Sequence, residues 1–409
     1  MKFSLSFVSS FLALCITAGV LFAHASPTNA QGKPADKPHK AVCGPAGDDK
    51  VRCHAHVIVD DKGNPEVNKN ALVNWYGPYG PTQFQTAYNL SGNASGRILA
   101  IVDAYDDPHI QSDLNNYEST VGLTQLNPCS PSISANAGPC FQKVDQTGGT
   151  SYPTYDSGWA LEESLDVEVA NAACPTCKIL LVEAKSSSYN DLLTAVDRAV
   201  AIGATVVSNS YGSNEFYSET SLDYHFNKTG VAFTFSSGDN GYGTSYPAAS
   251  RYVTSVGGTT LYLNGDNTWN SEYVWNGTGS GCSSYESKQA WQPYIGCSRR
   301  VMNDVAADAD PNTGAAVYDS DYYGHSGWFE VGGTSLASPL IAATYALNGI
   351  PNNYSQTANS LPYYNNPSAN LHDIIFGSNT RRCRSSLCKA IVGFDGPTGL
   401  GTPHGINAF

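Results

Sequence analysis

A serine at the start of a predicted helix is the sharpest sign of chemistry in this sequence. Ser335 follows Gly332, Gly333 and Thr334, and the apolar run 340–347 comes after it. Glycines let the backbone turn tightly, and the free N–H groups and the dipole of a helix start favour developing negative charge. Ser335 is therefore placed like a nucleophile. The alternative is a serine that only caps a buried helix.

A serine nucleophile needs a base, and no histidine has a convincing setting for that role. His39, His54 and His56 lie before the region predicted to form the main domain. The later histidines lack a helical or glycine-framed setting. A histidine-dependent hydrolase of subtilisin type that uses Asp103 is therefore a weaker alternative. So is an esterase, because the chain has no Gly-x-Ser-x-Gly motif.

Three carboxylates could do the work of the histidine. Glu162 and Asp166 are four residues apart on a predicted helix, so they share one face. A buried pair of this kind would share a proton, which raises one pKa and lowers the other. Asp239 follows the apolar strand 231–235 in a glycine-framed turn. At the carboxyl end of a parallel strand, it would face the same crevice as Ser335.

Plainer interpretations of these carboxylates stay open. The helical pair could belong to a solvated acidic face, and Asp239 could simply hold a loop turn. Apolar residues at helical spacing show that the same helix carries a buried stripe. Glu163 and Glu168 fit a solvated face better.

The elements that must position these residues alternate in type from Gly77 onward. Apolar runs typical of strands or helices lie at 98–102, 161–173, 179–182, 192–202, 205–208 and 231–235. This alternation predicts an α/β fold, with a parallel sheet flanked by helices. No linker interrupts the region, so we expect a single domain over residues 77–409.

The N-terminal residues have the pattern of a targeting segment. Residues 1–25 begin with Lys2, continue as an apolar run and end at Ala25 in a small-residue cleavage pattern. We predict a signal peptide and hence a secreted, extracellular protein that has no contact with a membrane once the signal is removed; an uncleaved anchor is the alternative. We predict that residues 26–76 form a short lead-in or vestigial prosegment, because this segment has too few apolar residues to form a core of its own.

The cysteines indicate an oxidising compartment. The chain has 11, and without Cys15 in the predicted signal an even number remains, which suits disulfides. Pairing neighbours along the chain suggests Cys43/Cys53, Cys129/Cys140, Cys174/Cys177, Cys282/Cys297 and Cys383/Cys388. The Cys174/Cys177 pair could instead be redox-active, but it follows a predicted helix rather than opening one.

The charge of the chain bears on its partners. The net charge is −13 and the pI is near 5.0, which makes nucleic acid an unexpected partner. With few lysines and arginines, positive self-repulsion stays limited as carboxylates neutralise in acid. The composition is therefore compatible with function in acid.

Taken together, the motifs resemble those of the sedolisins, which are serine-carboxyl peptidases with a subtilisin-like fold. The resemblance extends from about Gly77 to Phe409, and it includes residues 101–107, the helix of Glu162, and residues 236–239, 304–311 and 333–335. It implies that Ser335 is the nucleophile and Glu162 the general base. It also implies that Asp166 orients Glu162 and that Asp239 helps to bind the oxyanion.

These implied roles are coherent in acid. Near pH 4 an ordinary histidine is protonated, whereas a carboxylate pair can still accept the proton of Ser335. A protonated Asp239 and the Ser335 N–H would give two oxyanion donors, each worth roughly 3 kcal/mol. We therefore expect a monomeric endopeptidase with an acidic optimum that acts on protein or peptide substrates. The alternative is a catalytically silent, calcium-stabilised secreted binding protein of the same fold.

The resemblance further implies one structural calcium ion near the C-terminus. The carboxylates of Asp373 and Asp395 and the carbonyls of Ile374, Ile391 and Gly393 would supply its oxygens, with water completing the shell. In one respect the chain departs from the family pattern. Members are usually made with a long folded prosegment, for which residues 26–76 are too short.

Overall fold

The structure is a computed structural model that describes residues 1–2, 36–47, 50–70, 73–74, 77–94, 96–351 and 354–409. The predicted signal peptide beyond Lys2, including Cys15, and the first part of the predicted lead-in lie outside the described residues. The chain divides into two units, Met1–Asp36 and Lys37–Phe409, and every element below belongs to the second. Within the described ranges, no helix combines the length and the apolar character that a membrane crossing requires.

The elements of the second unit alternate along the chain. The helices are α1 (Pro81–Ala87), α2 (Ile110–Val121), α3 (Ser157–Ala173), α4 (Tyr189–Ile202), α5 (Thr334–Asn348), α6 (Leu361–Tyr364) and α7 (Pro367–Asn370). The strands are β1 (His39–Ala41), β2 (Arg52–Cys53), β3 (His56–Ile58), β4 (Ile98–Ala104), β5 (Phe141–Asp145), β6 (Lys178–Ala184), β7 (Val206–Asn209), β8 (Tyr211–Asn214), β9 (Ala232–Ser236), β10 (Ser245–Tyr246), β11 (Thr254–Leu263), β12 (Trp269–Val274), β13 (Gly281–Ser287), β14 (Arg299–Met302), β15 (Val305–Asp308), β16 (Ala315–Tyr322), β17 (His325–Gly332), β18 (Leu371–His372) and β19 (Thr402–Pro403). Short 3₁₀ helices lie at Glu219–His225, Pro311–Thr313 and Ala358–Ser360.

A mainly parallel sheet forms the centre. Over the described residues it has eight strands, in the order β12-β11-β9-β7-β4-β6-β5 with β15 also paired to β11. Its pairs are parallel, except that β12 runs antiparallel to β11. Every residue of β4 is buried, because helices and other chain segments cover both faces. The predicted α/β fold is therefore confirmed, and each predicted apolar run overlaps an element of the predicted type.

Two buried helices carry the predicted site. Helix α5 packs on strands β4, β7, β9 and β11 and against α3. Helix α3 is capped by Asp156, whose carboxylate accepts hydrogen bonds from the N–H groups of Gly158 and Trp159 at 3.0 Å. It lies between α5 and β16, so its residues from Gly158 onward are buried. The expectation that Glu163 and Glu168 face solvent is wrong, because α1, α2 and β4 also pack on α3 and both side chains are buried.

The segment before Gly77 is part of the second unit. Strands β1 and β3 join β17 and β16 in one antiparallel sheet, while β2 pairs with β8 in another. The compact unit thus starts at Lys37, earlier than the boundary expected at Gly77. The interpretation that His54 and His56 precede the main domain is therefore wrong.

The disulfides follow the predicted pairing. The structure contains Cys43–Cys53, Cys129–Cys140, Cys174–Cys177, Cys282–Cys297 and Cys383–Cys388. Cys174 directly follows the end of α3, whereas a redox-active pair would lie at the start of a helix. Each bond closes a short loop, so these bridges restrain the connections between elements rather than joining distant parts of the chain.

Candidate active site

The serine predicted as the nucleophile lies in the first turn of α5. Gly333 precedes this turn with φ +93°, a conformation that L side chains rarely adopt. The hydroxyl of Ser335 donates to the carbonyl oxygen of Ser210 at 3.2 Å. Pro339 has no N–H to donate to the Ser335 carbonyl one turn back, and the Ser210 hydroxyl lies 3.4 Å from that carbonyl oxygen. Ser335 is thus held between α5 and the residue that follows β7.

The predicted carboxylate pair lies on the buried face of α3 beside this serine. Burial raises the pKa of Glu162 well above its ordinary value; Asp166 and Asp103 raise it further, while the nearby Ser335 hydroxyl opposes the rise. Burial also raises the pKa of Asp166, although the Ser210 hydroxyl donates to its Oδ2 at 2.6 Å. From the sequence, we expected one of the two pKa values to fall. Both rise because burial, the largest effect, acts on both carboxyls.

Asp239 reaches the same place from the loop after β9. Its Oδ1 accepts hydrogen bonds from the N–H and the hydroxyl of Thr334, both at 2.8 Å. Among the described residues, its Oδ2 has no hydrogen-bond partner. Burial raises the pKa of Asp239 to about 7, against the effect of the Thr334 hydrogen bonds. In acid this carboxyl is therefore protonated, and Oδ2 is the oxygen free to carry the proton.

The structure brings all four predicted residues together and adds others that sequence reasoning missed. Ser210 links Asp166 to Ser335, and Thr334 fixes Asp239. Neither has a distinctive sequence signal, since a serine after a strand and a threonine before a serine are both common. Asp103, considered above as a member of a histidine triad, is buried near the pair. Burial and, next in size, the charge of Asp166 raise its pKa well above the ordinary value.

A layer of further carboxyls lies behind the site. Burial raises the pKa of Glu163 well above its ordinary value, and that of Glu183 to about 8. The amine of Lys143 lies 2.8 Å from Glu183 and opposes both shifts. Asp107, Asp113 and Asp319 form another buried group, in which carboxylate oxygens lie within 4.8 Å of one another. The interior of this protein thus holds many carboxyls that burial favours in the neutral form.

Two histidines lie at the site, contrary to expectation. His54 Nδ1 is 2.7 Å from the hydroxyl of Ser236, and His56 Nε2 is 3.7 Å from Asp239 Oδ2. Burial is the main cause that lowers the pKa of each to about 3. Within the described residues, the Ser335 hydroxyl donates to a backbone carbonyl and to no imidazole. These histidines therefore occupy the cleft without taking the position of a base.

The predicted calcium residues lie together in one C-terminal loop region. The N–H of Gly393 donates to Asp373 Oδ2 at 2.8 Å, and the N–H of Ile391 donates to Asp395 Oδ2 at 3.0 Å. Burial and, to a smaller extent, neighbouring Asp373 raise the pKa of Asp395 to about 7, against the effect of hydrogen bonds from Thr398 and Ile391. In the described part of the chain, no lysine or arginine forms an ion pair with either carboxylate. Two carboxylates without a cationic partner in one loop region suit a hard cation such as calcium.

The sheet, the buried helices and a serine at the start of α5 define a subtilisin-like α/β protein. The chain belongs to the subtilase family, which its residues 157–361 match. Sedolisin of Pseudomonas sp. (strain 101) is 28% identical over 79% of this chain and 59% of its own length. Kumamolisin of Bacillus sp. (strain MN-32) is 30% identical over 80% of this chain and 62% of its own length. The chain thus spans less than two thirds of these relatives.

Solved structures agree with this assignment. Pseudomonas sedolisin, described as a serine-carboxyl proteinase complexed with two molecules of pseudo-iodotyrostatin, matches with a TM-score of 0.64 and 28% identity, over 82% of this chain and 96% of that chain. Sphericase matches with a TM-score of 0.51 and 19% identity, over 82% and 99% of the two chains, and supports the fold alone. The resemblance to sedolisins inferred from the motifs is confirmed.

Proposed function

We propose that this protein is a secreted serine-carboxyl endopeptidase that hydrolyses peptide bonds in acid. In this mechanism Ser335 attacks the substrate carbonyl while Glu162 takes its proton, and Asp166 orients Glu162. Glu162 then returns the proton to the leaving amine, and water hydrolyses the acyl-enzyme. The arrangement of Asp239 carries the proposal, because a carboxyl with a pKa of about 7 beside Ser335 is a hydrogen-bond donor only below neutral pH.

The charge balance of the site supports acid function. Burial raises the pKa of Glu162, so its ionised form is a stronger base than an ordinary carboxylate toward the serine hydroxyl, and the reaction draws on the ionised fraction of Glu162. The oxyanion would be bound by protonated Asp239 and by the Ser335 N–H. Above neutral pH, ionised Asp239 would repel the oxyanion, so activity is expected to fall there. This dependence separates the proposed mechanism from one that uses a histidine base.

We also propose that one calcium ion is bound by Asp373, Ile374, Ile391, Gly393 and Asp395. The support is the pair of buried or hydrogen-bonded carboxylates in that loop, neither of which has a cationic partner among the described residues. Calcium would neutralise the two charges and hold the loop ends together. Its role is structural, and no step of the reaction passes through it.

The test is hydrolysis of a denatured protein substrate from about pH 2 to about pH 8, with the protein first incubated in acid. We expect an acidic optimum that Ser335→Ala and Glu162→Gln each abolish. Ser326→Ala and Glu66→Gln, at exposed positions, are the matched controls and should retain activity. Activity that rises toward about pH 8 and survives Glu162→Gln would indicate a histidine-dependent hydrolase. No cleavage by folded, calcium-loaded protein at any pH would indicate a silent binding protein.

A further inference from the structure

Positive charge is concentrated in one C-terminal loop of this acidic chain. Four of the 22 lysines and arginines fall within residues 381–389, although the net charge is −13. All four side chains are exposed, and none of them forms an ion pair with another described residue. They are Arg381, Arg382, Arg384 and Lys389, and we call residues 381–389 the cationic loop.

The sequence on either side leaves this charge without acidic neighbours along the chain. Between Asp373 and Asp395 there is no aspartate or glutamate. Those two carboxylates are the proposed calcium ligands, and a bound ion would neutralise them. An acidic peptide is repelled by the protein as a whole, so a local group of uncompensated cations decides where such a peptide can bind.

Hydrogen bonds and a disulfide fix the cationic loop to the body of the protein. The side-chain NH₂ of Asn379, just before the loop, donates to the carbonyl oxygen of Thr278 at 2.7 Å and to the hydroxyl of Ser280 at 2.8 Å. The Ser280 hydroxyl donates in turn to the carbonyl oxygen of Leu387 at 2.7 Å. The disulfide Cys383–Cys388 closes the loop itself. The cations of the loop are therefore carried by a backbone that is held in place.

The residues that lead into the cationic loop pack against the turn that carries Asp239. A Cβ built on Gly241 would lie 2.8 Å from the carbonyl oxygen of Asn379, and Gly241 has φ +72°. The N–H of Tyr242 donates to the same carbonyl oxygen at 3.3 Å. The start of the cationic loop thus lies next to the turn that supplies the proposed oxyanion donor.

Arg381 and Asp239 line one cavity of about 590 Å³. Arg381 is the cation of its described lining, and Asp239 is the acid. The other lining residues offer amides, hydroxyls and glycine backbone: Asn240, Gly241, Asn276, Gly277, Ser378, Asn379 and Thr380. In acid Asp239 is protonated, so this lining then combines a positive charge with hydrogen-bond donors. It suits a carboxylate, which the planar guanidinium of an arginine can bind through two N–H groups.

We propose that this cavity is a subsite for an acidic side chain of the substrate and that Arg381 is its specificity-determining residue. The favoured substrates are peptides that carry a glutamate or aspartate close to the bond that is cut. This inference rests on the proposed peptidase function. It requires an ionised substrate carboxylate, whose ordinary pKa is about 4, and a protonated Asp239. The preference therefore belongs to the interval from about pH 5 to about pH 6.

The experiment compares peptides that differ in one residue. A peptide is taken from a site that the acid-incubated enzyme cleaves in a denatured protein, and each position around the cut bond is made Glu or Gln. We expect one position at which kcat/KM for Glu exceeds that for Gln about twofold to fivefold at about pH 5.5, the size of an exposed ion pair. The ratio should return to about 1 at about pH 3, where glutamate is protonated, and should fall as salt is added.

Variants identify the residue responsible for the preference. Arg381→Gln should bring the Glu-to-Gln ratio to about 1, as the loss of that ion pair requires. Arg384→Gln removes the same charge from the cationic loop but not from the lining of the cavity, so it should keep the preference. Arg381→Glu should favour a peptide with Lys at the same position, a gain that misfolding cannot produce. Lys62→Gln, at an exposed position outside the loop, controls for net charge.

The outcomes separate this inference from the proposed function. Cleavage with equal kcat/KM for Glu and Gln at every position would overturn the inference while the proposed function stands. A preference that Arg381→Gln leaves unchanged would do the same, and so would one that Arg384→Gln lowers as much as Arg381→Gln does. If the folded wild type cleaves no site in the denatured protein, both the proposed function and the inference fail.

Discussion

Replacing Asp239 tests how the oxyanion is bound in acid. Thr334 donates twice to Oδ1, so Asp239→Asn can keep both hydrogen bonds through its amide oxygen while its NH₂ occupies the position of Oδ2. That NH₂ donates at every pH, whereas the wild-type carboxyl donates only while protonated. With a pKa of about 7, the protonated fraction of Asp239 falls about tenfold from pH 6 to pH 8. The ratio of Asn-variant to wild-type activity should therefore rise about tenfold over this interval.

The matching Asp239→Ala variant sets the size of the effect. Loss of one oxyanion donor typically costs about 10²–10³ in kcat, or about 2.7–4 kcal/mol. The assay is kcat on a synthetic peptide from about pH 3 to about pH 8 after acid incubation, with exposed Asp61→Asn as control. A constant Asn-to-wild-type ratio across pH 7, or an alanine variant with wild-type kcat in acid, would refute the assigned role of Asp239.

Three further predictions concern charge in the interior. Asp166→Asn removes a negative charge that raises the pKa of Glu162. The acid limb of the pH profile of kcat/KM should therefore move to lower pH, while kcat falls. An acid limb that stays in place would contradict the effect of Asp166 on the pKa of Glu162. Calcium at about 100 times its Kd should stabilise wild type by about 2.7 kcal/mol, measured as the melting temperature with and without chelator. Asp395→Asn should lose this response and Asp61→Asn should keep it; an equal response in all three would place the ion elsewhere. Burial raises the pKa of Glu183 to about 8 and that of Asp319 to about 7 in the folded protein. Between about pH 4 and pH 8 the folded state therefore keeps protons that the unfolded chain has released. The free energy of unfolding should be greatest in acid and should fall as the pH rises through this range. Each extra proton bound by the folded state lowers the free energy of unfolding by about 1.4 kcal/mol per pH unit, and a melting temperature that rises over this range would refute the argument.

The sequence by itself determined features that depend on local pattern. The buried strand β4 and the helices α3 and α5 follow from apolar periodicity, which the chain must satisfy to bury a core. The five disulfides join neighbouring cysteines because short loops bring their ends together with little loss of entropy. The choice of Ser335 and Glu162 as candidates also rested on local features, namely a helix start and helical spacing.

Only the tertiary structure decided which polar side chains are buried and what covers the cleft. Glu163 is buried because helices and strands from distant parts of the chain, including α2 and β4 as well as α5 and β16, pack around α3 on sides that a helical pattern cannot specify. His54 reaches Ser335 through pairing between strands that are far apart in the sequence, and a run of two or three residues gives no periodicity from which such pairing could be read. Local propensity acts over a few residues, whereas these placements depend on which distant surfaces pack together.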